Sequence, residues 1–442
     1  MVPSNDTQTQ LIGYGMNNHP QRLSLHNEIH ARPPEPLPPP VAVTHVVMLL
    51  KPDERAASHA HFAQLLRDHH LPEPQAGVNH MRADMGAFRL RWEMHTEFVS
   101  YTFMRNLSAQ GVEGQAVPKA LEVVPTTWLD SMPGELVCHM HVTAVAEGDA
   151  VRGASVRATL RDESLTGAVV ADSQAVVFTD FAIQADGATQ MLVLVRALSP
   201  RRLGRLVQRL LEIETYRMMA LLGLPIARDS AGMLSRGEAE LASLAQAIRT
   251  AKPDDEPALL DRLTRLAGEV EGYYAATHSR FSASSAYFDL VMRRIDDIAE
   301  ERLEGLQSIK DFMQRRLTPA MSTCDWSQRR QQALSERISR MSNLLRTRVE
   351  IEQQDSSRAL LATMNQRQEL QLKLQSTVEG LSVAAITYYL TGLLGYVAKG
   401  GKAVGWPFSP EMTMAVAVPV IALMVWWMLK RLHKRVHGDV HT

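Results

Sequence analysis

The spacing of apolar and polar positions changes character several times along the chain. Short apolar runs predict strands at 41–50, 87–94, 97–104, 136–146, 175–183 and 189–197, with helical spacing at 54–67 between the first two. Adjacent strands at 87–104 imply antiparallel pairing, so the first part is expected to be an α+β domain. From Pro200 onward the period becomes helical. Leu203, Leu206, Val207, Leu210, Leu211 and Ile213 mark one face of a helix at 200–222, and a second helix is expected at 229–250, after Gly223, Leu224 and Pro225. A third is expected at 256–316, with a turn where Thr318 precedes Pro319 as N-cap and first helical residue.

No glycine occurs from Leu306 to Glu379. Leu334, Ile338, Met341 and Leu345, then Leu370, Leu374, Val378 and Leu381, recur at coiled-coil-like spacings, while the stretch from Arg348 to Asp355 is polar. One helix over 326–398 would be about 110 Å long at ~1.5 Å per residue, much of it a stalk.

Two 18-residue stretches, 381–398 and 412–429, carry no charged side chain. Each spans about 27 Å as a helix, enough for a bilayer core, and together they read as a transmembrane hairpin. A buried helical pair in a soluble core is the competing reading. Trp406, Trp426 and Trp427 fall where interfacial anchors belong, with Lys430, Arg431, Lys434 and Arg435 just beyond. Only Lys399 and Lys402 occupy the connection, so the positive-inside rule puts both termini in the cytoplasm. The expected organisation is an extended proline-rich segment (1–40, with six prolines among 33–40), an α+β domain (41–198), a helical domain (199–325), a stalk (326–380), the hairpin (381–429) and a basic tail (430–442).

Composition conceals this division. The chain has 442 residues, is 45% hydrophobic, and balances 47 Lys and Arg against 48 Asp and Glu. That balance gives no basic footprint for nucleic acid. A mean hydropathy of -0.14 excludes a protein made mostly of membrane spans. Cys138 and Cys324 form neither a zinc knuckle nor a disulfide framework, and the N-terminus has no secretory signal pattern. No GxGxxG follows a strand, and no GxxxxGK[ST] or GxSxG occurs.

Candidate chemistry lies mostly in the first half, where ten of the 16 histidines precede residue 100. His26, Glu28 and His30 share a face as helix or strand and are a candidate site for a divalent metal; capping and loop anchoring is the alternative. Arg91, Glu93, His95 and Glu97 form a second cluster. A third comprises Cys138, His139, Met140 and His141, in which a strand would point both histidines one way and the sulfur residues the other. Asp297, Glu301 and Glu304 would line one face of a helix at 289–307. In the first span Gly380, Ala384, Thr387, Thr391 and Gly395, with Tyr388 beside them, make a stripe suited to helix packing or to a pore between subunits.

Several blocks carry a resemblance: HNEIHARP from His26, RWEMHTEF from Arg91, GRLVQRLLEIETYRMMA from Gly204, FMQRRLTPAMSTC from Phe312, LLRTRV from Leu344, and ELQLKLQSTVEGLSVAAITYY around 370–389. Through them the chain resembles, over essentially its full length, a proteobacterial family of membrane-anchored proteins known only as a domain of unknown function. The resemblance implies a membrane anchor, in a bacterial inner membrane, and supplies no substrate. In layout the chain is also similar to CorA-type magnesium channels. That family's Gly-Met-Asn signature is replaced at the end of the first span by Leu394, Gly395, Tyr396 and Val397; Gly15, Met16 and Asn17 match it only in the N-terminal segment. Three functions therefore compete: a homo-oligomeric membrane-anchored sensor or scaffold without enzymatic activity, a divergent CorA-like channel, and a membrane-tethered metal-dependent enzyme.

Overall fold

The computed structural model describes residues 19–22, 25–26, 33–75, 77–108, 117–403, 405, 407 and 409–438. It divides into one unit of residues 1–247 and 261–340 and a second of 248–260 and 341–442.

The first unit is built on a nine-stranded sheet of order β2-β3-β4-β1-β5-β8-β7-β6-β9. Its strands are β1 (Val41–Leu49), β2 (His80–Asp84), β3 (Arg89–Met94), β4 (Phe98–Asn106), β5 (Glu135–Ala146), β6 (Thr166–Val170), β7 (Ala175–Thr179), β8 (Thr189–Val195) and β9 (Glu301–Arg302). All neighbouring strands pair antiparallel except β5 and β8. The predicted α+β class is therefore observed. β2, β6 and β9 have no counterpart among the predicted strands, and the two-residue β9 falls where a helix was expected. β2 is a polar edge whose side chains are half-buried or exposed, so it lacks an apolar run, and β6 is only five residues long.

The helices are α1 (Arg55–Asp68), α2 (Thr126–Asp130), α3 (Ala150–Arg157), α4 (Pro200–Leu221), α5 (Gly223–Thr250), α6 (Glu256–Asp297), α7 (Ile309–Ala403) and α8 (Pro410–Gly438), and within the first unit helices pack on both faces of the sheet. Strand alternation sorts the side chains. Val41, Val43 and Val47 join Cys138, Met140 and Val142 against Leu203, Leu206 and Leu210 of α4. Val46 and Met48 turn the other way, to Trp92, Tyr101 and Phe103 and to Phe62 and Leu66 of α1. A sheet covered on both sides explains why its strands read as nearly continuous apolar runs.

The proline-rich segment is seated on α4. Leu37 is buried and its N–H donates to the Pro200 carbonyl at 2.9 Å, while Arg89 pairs with Glu35 at 2.6 Å. Gly204 makes the seating possible, because a Cβ there would overlap the Glu35 carbonyl oxygen.

Two helix boundaries differ from the sequence expectation. α5 starts at Gly223 and accommodates Pro225 in its first turn, where no intrahelical N–H bond is required. The turn expected at Thr318 and Pro319 lies instead at 298–308, where Ala299 (φ +47°) and Gly305 (φ +80°) take left-handed conformations. Pro319 is inside α7. It lies on an exposed face, where water can satisfy the Arg315 carbonyl it leaves unbonded.

In the second unit, Arg348 on α7 reaches the corner between α5 and α6. It donates to the carbonyls of Ile248 and Ala251 at 3.2 Å each and pairs with Glu256 at 2.6 Å. Both α7 and α8 are long and apolar enough to cross a membrane.

Candidate functional site

Of the proposed metal trio, His26 is exposed, and Glu28 and His30 lie outside the described residues. Among the described residues no group of three His, Cys, Asp or Glu side chains is arranged to hold a metal ion.

The carboxylate row at 289–307 does not form, because α6 ends at Asp297. Asp297 accepts from Arg294 at 3.1 Å, and Glu301 moves to the sheet edge, where Ser173 donates to it at 3.0 Å. Glu304 is exposed.

The second cluster lies on the α4 and α6 side of the sheet but is split into separate contacts. Arg91 and Glu93 turn toward α4 and form a buried pair at 3.2 Å. Glu97 accepts from Arg280 at 2.7 Å and from the Tyr287 hydroxyl at 3.4 Å, tying the start of β4 to α6. His95 stacks on Phe98 at 4.3 Å.

Alternation on β5 places the third cluster as its pattern implied. Cys138 and Met140 enter the core against α4. Burial and the neighbouring Glu214 carboxylate push the Cys138 thiol far up, which keeps it protonated and inert. Glu214 is itself buried and takes a bidentate pair of bonds from Arg217 at 2.8 and 2.5 Å.

His139 and His141 project to the opposite face, with ring centroids 4.8 Å apart. Register sets Thr44 opposite His141, with Thr44 Oγ1 and His141 Nδ1 2.8 Å apart. His141 Nε2 lies 3.4 Å from Asp186 Oδ2, and Asp186 also pairs with Lys119. With Nε2–H directed to the carboxylate, Nδ1 is left to accept the Thr44 hydroxyl proton. Burial, His139 and Lys119 together depress His141 to about 3, and burial lowers His139 as well, so both rings are neutral at neutral pH. The chain of groups resembles a hydroxyl-imidazole-carboxylate relay. A base of such low pKa is matched to holding a hydrogen bond rather than to taking a proton.

Thr44, Lys119 and His141 border a cavity of 150 Å³ between the sheet and α3, which Thr143, Ser155, Thr159 and Gln190 also line. Sequence reasoning found the histidines but not Thr44, Lys119 or Asp186. The one local signal for Asp186 was the Asp186-Gly187 turn between two predicted strands.

In the first span, Ala384 and Tyr388 are exposed, whereas Thr387, Thr391 and Gly395 are half-buried. A Cβ on Gly395 would sit 3.3 Å from Met414 Cε of α8, so the small residue marks the contact between the two helices. The Thr387 and Thr391 hydroxyls donate back to the carbonyls of Val383 and Thr387 at 2.6 Å. At the far end of α8, Lys430 lies over the Trp426 ring and Arg431 over Trp427, each 4.7 Å from the centroid. Trp406 and the side chains of Lys434 and Arg435 lie outside the described residues.

No curated protein and no solved structure matches the chain. The model of a family described as "Protein of unknown function (DUF3422)" matches residues 17–436, and the protein belongs to that family.

Proposed function

We propose that this protein is a self-associating membrane anchor, a scaffold or sensor, held in the bacterial inner membrane by α7 and α8 with both termini in the cytoplasm. The carrying observation is the stalk part of α7, where Leu370, Leu374, Val378 and Leu381 recur on one side with more than half of each side chain exposed. An apolar seam of this spacing is stabilised when another helix covers it. A second copy of the chain is the occupant that charge allows. Residues 341–380 carry five basic and five acidic side chains, so like copies are not repelled.

The contact of Gly395 with Met414 and the back-bonded threonine hydroxyls support packing over a pore for the first span. The Trp426–Lys430 and Trp427–Arg431 pairs support a membrane interface on the basic side.

The full chain, solubilised in mild detergent, should run as an oligomer by light scattering at micromolar concentration. Leu374→Asp with Val378→Asp should release smaller species with unchanged helix content. A wild-type chain that is a strict monomer, both in detergent and by crosslinking in the membrane, would refute self-association. Flux through proteoliposomes that is blocked by Thr391→Trp would favour the channel instead.

A further inference from the structure

We propose that the cavity between α7 and α8 holds the headgroup of a zwitterionic phospholipid with a primary amine, of the phosphatidylethanolamine class, with Lys399 on its phosphate and Glu411 on its ammonium. The site rests on the membrane-hairpin part of the reading above and is independent of self-association.

The cavity measures 410 Å³ and is lined by Gly392, Gly395, Tyr396 and Lys399 of α7 and by Glu411 and Met414 of α8, among others. That volume falls within the range of about 300 to 1,000 Å³ usual for small-molecule sites. The two helices touch where Gly395 faces Met414. Lys399 follows Gly395 by four residues and Glu411 precedes Met414 by three, so both charges stand one helical turn from that contact, on the side of the connection.

Sequence position sets their depth. Lys399 directly follows the uncharged stretch 381–398 and Glu411 directly precedes 412–429. With those stretches across a bilayer, both charges lie at headgroup level. Gly392, Gly395 and Met414 belong to the stretches themselves, so the opposite wall of the cavity is apolar and lies at the level of the first acyl carbons. At Gly392 the helix surface is bare, since a Cβ there would meet nothing within 4 Å. A lipid covers this wall with its acyl chains, which a soluble zwitterion lacks.

Charge selects the headgroup. Among the described residues neither Lys399 nor Glu411 forms a hydrogen bond or ion pair, although both line the same cavity. A phosphate joined to an ammonium through two carbons supplies each with its counter-charge. An anionic headgroup would satisfy Lys399 and set a second negative charge beside Glu411. A choline headgroup has no N–H to donate to the Glu411 carboxylate.

The test is native mass spectrometry of the full chain, released from a non-ionic detergent that contains equal amounts of phosphatidylethanolamine, phosphatidylcholine and phosphatidylglycerol. One phosphatidylethanolamine per chain should be retained at least about tenfold over either competitor, as expected for one charge-assisted hydrogen bond. Glu411→Gln should lower phosphatidylethanolamine to the level of phosphatidylcholine, and Lys399→Met should weaken retention of both. Both side chains are exposed, so neither variant disturbs a core. Glycerophosphoethanolamine, the same headgroup without acyl chains, should displace the lipid poorly. The proposal is overturned if either competitor is retained as well as phosphatidylethanolamine, or if Glu411→Gln keeps the preference. It is equally overturned if glycerophosphoethanolamine displaces the lipid at equal concentration, which would assign the cavity to a soluble metabolite. Extraction of the wild-type chain from membranes by alkaline carbonate would instead overturn the hairpin, and the lipid site with it, so the two failures are distinguishable.

Discussion

His45 Nε2 and Thr215 Oγ1 lie 3.0 Å apart, joining the middle of β1 to α4 inside the core. The Thr215 hydroxyl already donates to the Leu211 carbonyl at 2.9 Å, so the imidazole is the donor in this contact. Its Nδ1, 2.9 Å from Thr102 Oγ1, therefore accepts. A neutral ring satisfies both partners, and a protonated one would lose the bond from Thr102.

Stability should accordingly fall in acid. Burial and the Arg91 charge depress His45 to about 3, and His141 is depressed to about 3, against 6.5 unfolded. Between those values the unfolded chain binds more protons, so stability is fully present above pH 6.5 and declines as pH falls toward 3. The two rings together should contribute a few kcal/mol of this slope, by order of magnitude. Chemical denaturation from pH 7 to pH 4 should show the decline, and His45→Gln should flatten it. An equal slope in the variant would remove His45 from the account.

Gly204→Ala should destabilise the first unit, because the new methyl meets backbone rather than a movable side chain end. A cost of about 1 to 3 kcal/mol is expected from overpacking, read as a lower melting temperature together with protease sensitivity near Pro33 to Pro40. A variant as stable as the wild type would mean that the segment lifts off α4 freely.

Arg348→Ala should loosen the second unit. Glu256 is 1% exposed and would lose its cationic partner, while two carbonyls at the α5–α6 corner would lose a donor. Because the Arg348 side chain is 44% exposed, a loss of about 1 to 3 kcal/mol is expected rather than the full cost of a buried pair. Hydrogen exchange at 248–260 should speed up; unchanged protection there would contradict the clamp.

Pro319→Ala should stabilise α7 by up to about 3 kcal/mol, since it restores an N–H donor inside a continuous helix. Thermal melts of the full chain would show this as a higher midpoint, and a lower midpoint would indicate that the proline is needed at that position.

Membrane orientation can be read chemically. Cys138 and Cys324 are buried free thiols raised above their usual pKa, so background labelling is low. In cells with a permeabilised outer membrane, Lys399→Cys should react with an impermeant maleimide and Arg431→Cys should not. The opposite pattern would invert the topology.

Period and composition alone determined the α+β start, the long helices and the two uncharged stretches, because each depends on neighbours within one turn or one strand. The facing of His139 and His141 was legible for the same reason. Tertiary structure decided the rest. Thr44 meets His141 through the β1–β5 register, Asp186 reaches the ring from a loop 45 residues away in sequence, and Lys119, 22 residues before His141, pairs with that carboxylate. Pro319 looked like a boundary, yet the chain reverses at Ala299 and Gly305. A local breaker signal gives way when packing holds the helix on both sides of it and solvent satisfies the one carbonyl it strands.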